Sequence, residues 1–68
     1  MKTVNINITD ARSLEHAMDK AIEEAEGKCH LVDKTYRVNK VRFIMLSAEV
    51  SYHGKTFTYY FEADLEEV

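Results

Sequence analysis

The chain has 68 residues, 46% of them hydrophobic and 31% charged, with a net charge of -3; that is room for one domain, and too apolar a composition for a disordered chain. A single cysteine, Cys29, rules out an internal disulfide and fits a reducing compartment, and no apolar run approaches the roughly 20 residues of a membrane helix. A domain this small buries only about 60% of the surface its unfolded chain exposes, so association with further copies would add stability.

The N-terminal stretch TVNINI alternates, with Val4, Ile6 and Ile8 on one side and Asn5 and Asn7 on the other, which is the period of a half-buried strand. Alternation at this position also argues against a signal peptide, whose apolar core is continuous, and the expectation is a soluble cytoplasmic protein. Asp10 stands where a helix N-cap belongs. Leu14, Ala17, Met18, Ala21, Ile22 and Ala25 then follow at the spacing of one helical stripe, and Gly27 is the natural stop. Alanines at three stripe positions let the helix lie close to whatever it covers.

Tyr52-His53-Gly54-Lys55 reads as a tight hairpin turn with His53 and Gly54 as the loop. That placement pairs Val50 with Phe57, Ala48 with Tyr59, Leu46 with Phe61 and Ile44 with Ala63, all apolar, and a slip of one residue would turn the whole set outward. The element order is β-α-β-β. An α+β fold follows, a three-stranded antiparallel sheet in the order 1-3-2 with the helix on one face, since the aromatic TFTYYFEADL suits a central strand.

On this register Ile44, Leu46, Ala48 and Val50 are covered by the helix and the third strand. Val41, Phe43 and Met45 point to the opposite face, with Tyr60 beside them across from Ser47, and these four form a candidate interaction face of roughly 400 Å². Leu65 would pair with Arg42, which leaves residues 35–38 with no strand neighbour in the chain. Tyr36 and Val38 are therefore candidates for edge pairing with another chain or for stacking on a ligand. A bulge near Asn39 that re-aims the strand is the alternative.

Lys34, Arg37, Lys40 and Arg42 form a run of cations without an acid, while acids gather in EEAE and EADLEEV. Such a strip is a candidate contact for an anionic partner. The overall acidic charge disfavours nucleic acid, and a strand edge guarded by cations is the better account of the pattern.

With these elements in place, the chain resembles the dodecins, small β-α-β-β proteins that assemble into hollow dodecamers and sequester flavins. The resemblance rests on Lys2, Val4 and Ile6 in the first strand, on Ser13, Glu15, Ala17, Ala21 and Ala25 in SLEHAMDKAIEEA, and on Gly54, Lys55 and Tyr59 in GKTFTYYFEADLEE. It implies assembly into a homo-oligomer and a flavin as a cofactor. Flavin-holding dodecins stack the ring on a tryptophan early in the second strand; this chain has none, and Tyr36 lies in roughly that region. Tyr60 stands where the family has a flavin-bonding glutamine.

Catalytic and metal signatures are lacking. His16, His30 and His53 are expected on a helix surface, in a connection and in a turn, and Cys29 as a small apolar filler just past the helix. Three readings follow. The first is a non-enzymatic module of dodecin type that self-associates through its sheet and holds a planar ligand near Tyr36, Phe43 and Tyr60. The second is a small interaction or inhibitor protein of phage or mobile-element type, docking its exposed sheet face on a protein target. The third is an engineered protein with no ligand, favoured by the agreement of cap, stripe and turn and opposed by Met18, Met45, the free cysteine and an irregular connection.

Overall fold

The computed structural model describes residues 1–30 and 34–68. Strand β1 (Lys2–Ile8) leads into helix α1 (Leu14–Gly27), and strands β2 (Tyr36–Ser51) and β3 (Gly54–Glu67) form a long hairpin. The sheet is antiparallel in the order β1-β3-β2, with β3 in the centre, as its aromatic and apolar content predicts. The helix lies on one face, called the inner face here.

Ser13, not Asp10, caps the helix. Its backbone is extended, and its Oγ accepts a hydrogen bond from the His16 amide at 3.1 Å. His16 reaches back in turn, Nδ1 accepting from the Arg12 amide at 3.1 Å, in the manner of a capping box. Asp10 sits too early for this and contributes its carbonyl to Lys20 Nζ instead. The stripe is narrower than its spacing suggests: Ala17, Ala21 and Ala25 are fully buried, whereas Leu14 and Ile22 are partly open to solvent. The helix runs through Gly27, and Lys28 ends it. Cys29 follows as a buried residue, its thiol donating to the Ala25 carbonyl at 3.4 Å.

Under the helix lie Ile6 and Ile8 from β1 and Phe61 and Ala63 from β3, with Val38, Val41 and Tyr59 packed at the margin. Fully burying a side chain such as Phe61 or Ile6 is worth about 1.5 to 3 kcal/mol, so this small cluster carries most of the apolar stabilisation.

The hairpin register departs from the expected one in two ways. Its loop is Tyr52 and His53, with Gly54 already paired to Ser51, so Ala48 faces Phe57 and Leu46 faces Tyr59. Gly54 has φ +111°, a value other residues rarely adopt, and Ser51 Oγ both accepts from the His53 amide and donates to the Gly54 carbonyl. The displacement is by two residues, so inner-face residues near the turn keep their side. The second departure does change sides. Ile44 bulges between Phe43, opposite Phe61, and Met45, opposite Tyr60, while Asn39 bulges between Val38 and Lys40. These two residues account for the difference between the 16 of β2 and the 14 of β3.

Two expectations are corrected by the bulges. Val41 and Phe43 face the helix side, opposite Ala63 and Phe61, rather than away from it. Residues 35–38 are not left without a neighbour: Tyr36 and Val38 pair with Glu67 and Leu65, and the Tyr36 amide also donates to the Cys29 carbonyl at 2.9 Å. The bulge at Asn39, the alternative reading of this segment, is present.

Candidate functional site

Strand β1 ends at Ile8, opposite Tyr59. Beyond that point β3 has, among the described residues, only β2 as a neighbour, and the hairpin projects as a two-stranded arm from a molecule 44 Å long and 21 by 15 Å across. The arm has two unlike faces. Ser47, Glu49, Thr56 and Thr58 lie on the outer face, away from the helix, and Leu46, Ala48, Val50 and Phe57 on the inner one. That inner face continues the core beyond the reach of the helix, and it is bare: Leu46 is 46% exposed, Val50 78% and Phe57 42%. A two-stranded ribbon is marginal in water on its own.

The four residues expected to share one interaction face are divided between two. Phe43 and Val41 belong to the inner face, and Phe43 sits at the root of the arm with its ring 5.6 Å from Phe61 and 6.5 Å from Tyr59. Met45 and Tyr60 are direct cross-strand partners on the outer face. The bulged Ile44 joins them, and Asn5 and Asn7 of β1 complete a shallow hollow of about 310 Å³.

The cation strip meets acids of its own chain. Arg42 forks between Glu62, at 2.9 Å, and Asp64, whose second oxygen is 3.2 Å from Arg42 Nη2 and also accepts from Thr3 Oγ1 at 3.0 Å. The hydrogen bonds from Arg42 and then Thr3 hold the Asp64 carboxyl below its usual range, and the two acids push the guanidinium pKa up. Arg37 pairs with Glu66 at 3.0 Å and Lys34 with Glu67 at 3.7 Å. Lys40 lies across from Asp64. The Arg37 and Arg42 pairs clasp β2 to β3 on the outer face, so an anionic partner would have to compete with bonds already made.

The remaining candidates for chemistry stand apart. His16 serves the helix cap, His53 lies in the turn beside Tyr52, and His30 forms a bridge to Thr35. Among the described residues no group of three His, Cys, Asp or Glu side chains is placed to hold a metal ion. No helix among them is long and apolar enough to cross a membrane.

Leu46, Ala48 and Val50, with Ile44, were the residues that sequence reasoning placed under the helix and the third strand, and all four are exposed. A length argument would have found them: a helix of 14 residues spans about 21 Å, whereas a strand of 16 spans roughly 53 Å. One cannot cover the other. Fold and surface together define a small α+β protein, a three-stranded antiparallel sheet with one helix and a projecting hairpin. Comparison with family models, curated proteins and solved structures finds no match to this chain.

Proposed function

We propose that the chain is a non-enzymatic binding and assembly module that self-associates through its sheet, with the hairpin arm as the contact. The carrying observation is the bare inner face of the arm, where Leu46, Val50 and Phe57 are exposed on the side that elsewhere forms the core. With Phe43 and Ala48 it offers roughly 400 Å² of apolar surface. A stable pair of proteins buries about 800 Å² on each partner, part of it polar rim, so the patch is sized for the centre of such a contact.

The β-α-β-β order agrees with the dodecin resemblance and supports the assembly reading. A flavin or another planar ligand belongs to the same reading at a junction between copies. Tyr36 and Phe43 lie well apart on the inner face and Tyr60 on the outer one, so a ring site using them takes its walls from more than one chain. A second reading, docking on a protein target, is favoured by the hollow at Ile44, Met45 and Tyr60.

Size-exclusion chromatography with light scattering, followed in the ultraviolet and in the visible flavin band, tests these readings. A mass above that of one chain is expected. A colourless monomer at all concentrations sinks the assembly and flavin readings together and leaves target binding.

A further inference from the structure

Building on that reading, we infer that the second copy adds along the free edge of β2, antiparallel and twofold, with Ala48 opposite its own counterpart. The edge is not uniform. Its first part is obstructed: the Cys29 carbonyl occupies the Tyr36 amide, bulges at Asn39 and Ile44 interrupt the ladder, and Arg37, Lys40 and Arg42 flank it. The run from Met45 to Ser51 carries neither bulge nor cation, and among the described residues it has a strand neighbour on the β3 side alone.

Backbone direction selects which residues take part. Ser51 and Gly54 flank the two-residue turn and exchange their backbone groups, so Glu49 and Ser47 also bond to β3. Leu46, Ala48 and Val50 then point their amides and carbonyls to the free edge. Only registers that place these three opposite one another are allowed. The run is centred on Ala48, and pairing about that centre uses all of it, setting Leu46 against Val50, Ala48 against Ala48 and Ser47 against Glu49. No like charges meet. Moving the axis to Glu49 would set two carboxylates face to face, and moving it to Ser47 would draw the bulged Ile44 into the ladder. The contact is isologous and closes on itself as a pair. Its product is one six-stranded sheet with both helices on the same face, on which the bare faces of the two arms adjoin and Leu46 packs sideways against Val50 of the partner subunit.

Single cysteines, introduced in the full chain with its own Cys29 replaced by Cys29→Ala, test the register. Ser47→Cys, Ala48→Cys, Glu49→Cys and Val50→Cys are oxidised mildly and followed on non-reducing gels. Ala48→Cys is expected to form a covalent dimer fastest, because residues directly opposite in a bonded pair lie about 5.5 Å apart, within disulfide reach. Ala48→Pro removes an amide that faces the edge and spares the β3 ladder, so it is expected to give a folded monomer. Linkage favoured at 47, 49 or 50, or a folded Ala48→Pro chain that still runs as a dimer, overturns the register while leaving self-association intact. A parent chain that is a monomer by light scattering overturns both.

Discussion

Phe43 stands edge-on to Phe61 at 5.6 Å, on the side of the sheet that the helix covers. Phe61 is fully buried and Phe43 is 40% exposed, so the pair marks the border between the core and the bare arm. Such a residue contributes to the core and, on the proposed reading, to association as well.

Phe43→Glu is therefore expected to destabilise the fold, where a residue on the outer face would affect association alone. The loss of the aromatic pair and the approach of a carboxylate to Phe61 should cost about 1 to 3 kcal/mol. Urea unfolding followed by circular dichroism measures it. An unchanged midpoint would return Phe43 to the outer face.

Val50→Glu should do the opposite. Val50 is 78% exposed and lies near the tip of the arm, so stability should move by no more than about 0.5 kcal/mol. A second carboxylate beside Glu49 would oppose pairing with Leu46 of another copy, and light scattering should report a fall to the mass of one chain.

The helix cap separates two serviceable candidates. Ser13→Ala removes the oxygen that accepts from His16 and should cost about 1 kcal/mol. Asp10→Ala, whose side chain makes no such bond, should stay within about 0.5 kcal/mol. Equal losses in thermal unfolding would argue against Ser13 as the cap.

Acid should loosen the clasp. Because Asp64 has a lower pKa folded than unfolded, the unfolded chain takes up its proton first as pH falls, and the contribution of Asp64 is intact above the unfolded value. It should decline below about pH 4. Asp64→Asn should flatten the acid limb of a stability profile measured by urea unfolding between pH 3 and 7. A profile as steep as that of the parent chain would place the acid sensitivity elsewhere.

The elements, their order and the central place of β3 were legible because each rests on local periodicity: Val4, Ile6 and Ile8 alternate, and three alanines recur at helical spacing. Placement of the turn was less so, since Gly54 signals positive φ without saying whether it lies in the loop or beside it. The bulge at Asn39 showed only as a mismatch in strand length, and the one at Ile44 left no mark at all. Ile44 is flanked by apolar residues on both sides, so nothing in its neighbourhood shows which one stands outside the ladder. That single ambiguity reversed Val41 and Phe43. It left Met45 and Tyr60 on the outer face and brought them opposite each other.

The two bulged residues are spares in the pairing of β2 with β3. A chain lacking Asn39 and Ile44 keeps every cross-strand partner and gains a straight edge over the whole of β2. Bulges strengthen local twist and end pairing, and without them a long edge offers many sliding registers and no reason to stop at one neighbour. On the proposed assembly, these two residues confine the contact to the short run beyond Ile44.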